Sequence, residues 1–101
     1  PTPKIVDQYI FNIPKGKFND VKSLRKEMVK DFNAEMSCPM VTGIALRIVS
    51  EASYEEYNLG LENITPFWRV VSPSSALAKK LYCGIDFIID NQQRENIKIG
   101  L

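Results

Sequence analysis

Apolar residues recur at helical spacing in the first third of the chain. In residues 1–13 they stand three or four positions apart, with Pro3 near the start and Pro14 just after the segment, and this pattern predicts an amphipathic helix. Asp20 is a favourable N-cap for a second helix, which we expect to end near Lys30. The sequence therefore predicts two short helices in this part of the chain.

A third helix is predicted over residues 40–54. Pro39 suits the first helical turn, where its missing N–H has no partner to lose. The apolar positions predict a buried face that consists of Val41, Ile44, Ala45, Ile48 and Val49. Thr42, Gly43 and Arg47 are expected on the remaining surface of the helix. Together with the helix before it and a brief polar connection, this segment is compatible with a helix-turn-helix.

The second half of the chain predicts a small β element. Residues 55–63 are polar and are expected to form a loop, whereas the apolar and β-branched run 64–71 predicts a strand. Residues 72–75 have the composition of a turn, so a hairpin or wing is expected there. A last helix, exposed in its second half, is predicted over 84–99. The pattern as a whole predicts a single, mainly helical domain of 101 residues with a small β element.

Composition and charge narrow the candidate functions. Hydrophobic residues make up 45% of the chain and charged residues 25%, which is typical of a globular protein. The net charge is +1, so any DNA-binding face must arise from local clustering of cations. The sequence has no apolar run of membrane-spanning length and no recognisable signal peptide. We therefore expect a cytoplasmic protein without a membrane partner.

The chain contains no histidine and has two cysteines, Cys38 and Cys83. The lack of histidine excludes Ser-His and Cys-His dyads and the common metal sites that use histidine. Two cysteines are too few for a closed zinc site with four thiolates, so we expect no metal and no cofactor. Cys38, at a predicted helix start, is either a relocated nucleophile or an inert buried thiol. Cys83 is expected to be structural.

Four short motifs occur in an order and at a spacing that resemble one family of DNA-repair proteins. Residues 13–18, IPKGKF, are similar to an opening that reads hydrophobic-Pro-x-Gly-x-Val, and residues 43–47, GIALR, are similar to a recognition-helix signature. Residues 65–71, TPFWRVV, stand in the place of Ile-Pro-Cys-His-Arg-Val-Val, and Gly84 is followed eleven positions later by Glu95. Together these motifs resemble the DNA-binding domain of alkylguanine-DNA alkyltransferases and their alkyltransferase-like relatives.

The resemblance implies a winged helix-turn-helix fold and binding to duplex DNA, but it also excludes the family's reaction. The family's cysteine takes an alkyl group from O6 of guanine, after a histidine-bridged network has made it a thiolate. Here Phe67 stands at the cysteine position and Trp68 at the histidine position, so no nucleophile is present. Val21 and Met40 stand where the family has its base-rotating tyrosine and its arginine finger, although methionine would still act as an apolar wedge in the minor groove.

The candidate site residues form a base pocket and a DNA-binding face. The pocket would be lined by Phe67 and Trp68, for which core packing on a strand is the alternative, and by Arg69. For Arg69 the alternative is hydrogen bonding to carbonyls or a carboxylate that holds the loop. The DNA-binding face would consist of Met40, Thr42, Gly43, Arg47, Lys22, Ser72, Ser74 and Ser75. A solvated Arg47 without a phosphate contact is the alternative on that face.

The sequence thus predicts a non-catalytic, alkyltransferase-like DNA-binding protein that recognises O6-alkylguanine or a flipped base. Two alternatives stay open. One is a protein-interaction or structural domain that kept the fold and lost DNA binding, which the near-zero net charge favours. The other is an active methylated-DNA–protein-cysteine methyltransferase. The oligomeric state is open in each of them.

Overall fold

Helices account for most of the structure. The computed structural model describes residues 2–31 and 39–97. Its helices are α1 (Pro3–Phe11), α2 (Val21–Asp31), α3 (Pro39–Asn58), α4 (Ala76–Lys80) and α5 (Gly84–Arg94), and a 3-10 helix (Phe67–Arg69) lies between α3 and α4. The two described ranges contain no strand, and no helix in them is long and apolar enough to cross a bilayer.

The first two predicted helices are confirmed, and local capping explains where they begin. The Thr2 hydroxyl accepts a hydrogen bond from the N–H of Ile5 at 3.3 Å, and Pro3 occupies the first turn of α1. The Asp20 carboxylate accepts a hydrogen bond from the N–H of Ser23 at 2.8 Å at the start of α2. This hydrogen bond holds the pKa of Asp20 below its ordinary value.

Helix α3 is longer than predicted and buries a different face. It extends to Asn58, so the start of the predicted loop is helical. The predicted apolar face is wrong in three positions, because Val41, Ile44 and Ile48 are 42%, 56% and 51% exposed. The buried residues are Thr42, Ala45, Leu46, Val49, Ser50 and Ser53. Small side chains dominate this face because they let neighbouring backbone approach closely, and a search for large apolar residues overlooks them.

The predicted strand over residues 64–71 is wrong, because its centre forms the 3-10 helix. The N–H of Arg69 donates to the carbonyl oxygen of Pro66 at 3.0 Å, and the N–H of Val71 donates to that of Phe67 at 2.9 Å. Buried backbone groups must find partners, and proline has no N–H to give to a neighbouring strand. Hydrogen bonds within local turns therefore satisfy backbone N–H and C=O groups of this buried segment.

The predicted hairpin or wing after this segment is not formed in the described residues. Residues 72–75 make a turn, as expected, but the turn leads directly into α4. The Ser75 hydroxyl accepts a hydrogen bond from the N–H of Ala78 at 3.1 Å and so caps the helix. The small β element of the predicted fold class is thus replaced by a short helix.

The final predicted helix is confirmed as α5, but it ends at Arg94. Asn96 has a φ of 58° and therefore turns the chain out of the helix. The N–H of Ile97 donates to the carbonyl oxygen of Gln92 at 2.9 Å, which closes the turn and buries Ile97. Residues 98–99 of the predicted helix lie outside the described residues, as do residues 32–38, where the helix-turn-helix would have its turn.

The core lies where α1, α3, α5 and the 3-10 helix meet. Its largest fully buried side chains are Phe67, Ile10, Leu24, Met28, Leu46 and Ile88. A polar link joins α1 and α3 to the segment between α3 and the 3-10 helix: the Ser53 hydroxyl donates to the carbonyl oxygen of Thr65 at 2.7 Å, and the Thr65 hydroxyl donates to the Asp7 carboxylate. This link fixes the middle of α1 against α3 and against the segment that precedes the 3-10 helix.

Two neighbouring residues of α3 test the face assignment. We expect Leu46→Ala to lower the free energy of unfolding by about 2–5 kcal/mol, because it opens a cavity in the core. Ile48→Ala, a matched truncation of an exposed side chain, is expected to change it by no more than about 0.5 kcal/mol. Urea denaturation followed by circular dichroism measures both values. Equal losses in the two variants would contradict the observed face.

Candidate functional site

Phe67 and Trp68, the predicted lining of a base pocket, are packed into the core. The two rings meet edge to face, with centroids 5.5 Å apart, and Phe67 also stacks on Phe87 with centroids 6.0 Å apart. The Phe67 side chain is fully buried, and Trp68 is nearly so. Neither ring has a free face for a base in this conformation. The alternative of core aromatics is what the structure has, on a 3-10 helix instead of a strand.

Arg69, the third predicted pocket residue, is the centre of a nearly buried ion pair. Its Nε and Nη2 donate to Oε1 and Oε2 of Glu95 at 2.8 and 2.9 Å, and its Nη1 donates to the carbonyl oxygen of Ile13 at 2.8 Å. The carbonyl oxygen of Arg69 accepts from the N–H of Asn19 at 2.8 Å. Arg69 therefore holds the loop through a carboxylate and a carbonyl oxygen. This is the alternative role predicted for it, in place of lining a base pocket.

The surroundings of Glu95 favour its ionised form. Burial raises the pKa of the Glu95 carboxyl, but hydrogen bonds from Arg69 outweigh it, and the pKa lies below its ordinary value. The Trp68 indole also lowers the pKa of Glu95, although its Nε1 makes no hydrogen bond within the described residues, and the Gly16 backbone lowers it too. The carboxylate is thus stabilised by groups from two of the motifs, the opening one (residues 13–18) and the central one (residues 65–71).

Gly16 meets two requirements at this ion pair that other residues meet poorly. Its φ is +87°, in the left-handed region that glycine adopts without strain. A Cβ at this position would also lie 3.3 Å from the carbonyl oxygen of Glu95, which is a tight contact with rigid backbone. The loop after α1 can therefore approach the end of α5 closely enough to enclose the ion pair.

A second set of hydrogen bonds to the central motif was not predicted from the sequence. The side-chain amide of Gln92, on α5, donates to the carbonyl oxygen of Trp68 at 2.9 Å and to that of Val71 at 3.2 Å. Gln92 is buried, so its amide replaces water as the partner of these carbonyls. In the sequence, Gln92 is one of several polar residues in a helix half that we predict to be exposed. Nothing in that pattern indicates that its amide is buried and bound to these carbonyl oxygens.

The residues predicted for the DNA-binding face on α3 divide into exposed and buried. Met40 is 74% exposed, and Arg47 is also exposed. Gly43 is half-buried, and a Cβ built on it would meet nothing within 4 Å, so the surface beside it is open. Thr42 is fully buried, and its assignment to a DNA-facing surface is corrected. Helical spacing places Gly43, Arg47 and Met40 along one edge of α3.

The other predicted DNA contacts lie on different elements. Lys22 is exposed on α2, and Ser74 is exposed in the turn before α4. Ser72 is half-buried; its hydroxyl lies 3.0 Å from that of Ser74 and accepts from the Ser74 N–H. Ser75 is occupied as the cap of α4. Of the three serines, Ser74 is the one whose side chain is freely presented to solvent.

The chemistry of the described thiol does not replace the missing nucleophile. Cys83 is half-buried, and burial, followed by the nearby Glu51 carboxylate, raises its pKa to about 11. Its thiol therefore stays protonated near neutral pH, and the thiolate is the reactive form. Cys38 lies outside the described residues. Within those residues no three carboxylates or thiols come together to hold a metal ion.

A surface cleft that was not predicted from the sequence lies between α1 and α3. It has a volume of about 350 Å³. Phe11, Ile48 and Ala52 form an apolar part of its wall, and Asp7 and Glu56 contribute carboxylates. The cleft depends on the pairing of two helices that are distant in sequence, so no local motif announces it.

No family model, no curated protein and no solved structure matches this chain. The likeness to alkyltransferases therefore consists of the sequence motifs themselves.

The ion pair gives a pH-dependent prediction. Glu95→Gln leaves a nearly buried guanidinium without its carboxylate, so we expect a loss of about 1–3 kcal/mol of unfolding free energy near neutral pH. The pKa of Glu95 is lowered from 4.5, so the ionised carboxylate stabilises the fold above that pH, and this contribution is lost as the pH falls through the lower folded value. The advantage of the parent protein over the variant should therefore shrink on acidification.

Urea denaturation of both proteins between neutral and acidic pH measures this difference. Glu62→Gln serves as the control, because Glu62 is exposed, and its unfolding free energy should stay close to that of the parent throughout. A Glu95→Gln deficit that is the same at every pH would show that the carboxylate does not act through its charge.

Proposed function

We propose that this chain is a non-catalytic, alkyltransferase-like DNA-binding protein with a helix-turn-helix arrangement, which recognises duplex DNA that carries an alkylated or flipped base. One observation carries the proposal. Three motifs of the resemblance meet at a single ion pair, through Ile13 and Gly16 of the opening, Arg69 of the central motif and Glu95 of the closing helix. The convergence of these segments, which are distant in sequence, supports the resemblance.

The absence of alkyl transfer follows from the chemistry at the motif. A benzyl side chain, that of Phe67, stands at the position of the family's thiol and is enclosed by other rings. The described thiol of Cys83 has a raised pKa and is a poor nucleophile near neutral pH. The proposed protein therefore holds a lesion without accepting its alkyl group.

The proposed contact surface is the edge of α3 that carries Met40, Gly43 and Arg47. Gly43 lets the helix lie close to the wall of a groove, and Arg47 reaches a phosphate. Met40 supplies an apolar wedge of the kind that minor-groove binders insert between bases. Lys22 and Ser74 are exposed and would add backbone contacts from neighbouring elements.

A fluorescence-anisotropy titration with duplex DNA tests this surface. We expect Arg47→Glu to raise the Kd about tenfold and to lower the salt dependence by about one counterion, because one phosphate contact is lost. Arg94→Glu is the matched control, since it makes the same charge reversal at an exposed position of α5. Equal effects of the two substitutions would refute the contact surface.

The lesion part of the proposal has its own test. A duplex with one O6-methylguanine should bind more tightly than the same duplex with guanine, and the protein should show no mass gain after incubation. A gain of one methyl group on Cys38 or Cys83 would instead reveal an active alkyltransferase.

A second candidate is a protein-interaction domain, and the charge of α3 favours it. The second half of this helix carries Glu51, Glu55 and Glu56 and no cation, so it repels phosphates. This candidate predicts that neither duplex binds in a salt-dependent way. The same titration therefore separates the two functions.

A further inference from the structure

Helix α3 presents a second exposed edge, which the proposed DNA contacts do not use. Val41, Ile44, Ile48 and Ala52 follow one another at helical spacing and span about 16 Å along the axis. All four are exposed. Three of them, Val41, Ile44 and Ile48, are large, and a row of exposed apolar side chains marks an interaction surface more often than an isolated one does.

This row continues into the cleft between α1 and α3. Ile48 and Ala52 belong to both the row and the cleft wall, and Phe11 of α1, 47% exposed, stands beside them. The exposed row and the cleft share these two residues of α3 and therefore adjoin, and we call the combined surface the α1–α3 groove. It is lined at one end by aliphatic side chains and at the other by the polar residues of the cleft.

The polar end of the groove is negatively charged. Asp7 and Glu56 line it, against a single ammonium group from Lys4. The exposed Glu55 lies nearby on α3. The negative partial charge at the carboxyl end of α3 is opposed by the positive one at the amino end of α1, where Pro3 and Lys4 line the same cleft, so the side-chain charges decide the sign. A cationic partner is attracted to this end, whereas nucleic acid is repelled by it.

The floor of the groove is held in place before any partner arrives. The Ser53 hydroxyl donates to the Thr65 carbonyl oxygen at 2.7 Å, and the Thr65 hydroxyl donates to the Asp7 carboxylate. All three residues line the cleft. A groove that is ordered in the free protein loses less entropy on binding than one that must form around its partner.

We infer that the α1–α3 groove binds an amphipathic, basic helix of a partner protein. The row of apolar residues fits a helix of about three turns that presents anchors at i, i+3 or i+4, and i+7, and the carboxylates fit lysine or arginine at its flank. The basic helix of this chain, α2, is not the occupant, because Leu24 and Met28 of its apolar stripe are fully buried in the core. The inference does not depend on DNA binding.

A model peptide tests the groove directly. The probe is a fluorescein-labelled helix of leucine and lysine, about 14 residues long, with the leucines on one face. Its counterpart carries glutamate in place of every lysine. We expect saturable 1:1 binding of the lysine peptide to the whole chain, weakening as salt is added, and at least about tenfold weaker binding of the glutamate peptide.

Substitutions in the chain locate the binding. Ile48→Lys should raise the Kd of the lysine peptide by about tenfold or more, and Glu56→Lys by about threefold. Tyr82→Lys and Asp90→Lys are matched controls, because they introduce the same side chain at exposed positions outside the groove. Circular dichroism checks that all four variants are folded.

Two results would overturn the inference. One is equal binding of the lysine and glutamate peptides, and the other is the same Kd for the groove variants and their controls. Because no DNA is present in this titration, its failure would leave the proposed DNA-binding function untouched, and failure of the DNA titration would leave the groove untouched.

Discussion

The ion pair between Arg69 and Glu95 is the interaction on which the arrangement of this molecule depends. It joins the end of α5 to the 3-10 helix, and the remaining guanidinium nitrogen joins both to the carbonyl oxygen of Ile13. A bidentate arginine–carboxylate pair fixes orientation as well as distance. Three segments from different parts of the chain are thereby held in one relation, beside the buried rings of Phe67 and Trp68.

This constraint also explains why the central motif has a structural role in this chain. Gln92 holds the backbone of the 3-10 helix from one side, and Arg69 holds it from the other. With its rings enclosed and its arginine engaged, the segment offers neither an open base pocket nor a free cation for a phosphate. The surfaces available for recognition are then the two edges of α3, one with Gly43 and Arg47 and one that opens into the α1–α3 groove.

The parts of the fold that could be predicted are those determined by neighbouring residues. Caps and helical spacing sufficed for α1, α2 and α5, because each signal lies within a few residues of the element it defines. The strand at 64–71 and the buried face of α3 were predicted wrongly, because tertiary packing decides them. The centre of the run 64–71 is buried in a 3-10 helix instead of a strand, whereas on α3 small residues such as Ser53 and Ala45 form the contact in place of the large apolar ones.

The candidate site shows the same division. The holding role of Arg69 was foreseen from the geometry of its side chain, but its partner was not, since Glu95 is 26 positions away. The hydrogen bonds from Gln92 and the cleft beside α1 likewise cannot be predicted without the packed structure. The resemblance assigned Phe67 and Trp68 to a base pocket, but both rings pack against Phe87 on another helix, which closes that pocket.

Amide chemical-shift mapping of the ¹⁵N-labelled protein during titration with a short DNA duplex tests the central claim most directly. The account predicts that shifts concentrate at Met40, Gly43 and Arg47, and that the amides of Phe67, in the core, and of Glu95, at the ion pair, stay unchanged. Shifts centred on Phe67, or none on α3, would contradict it.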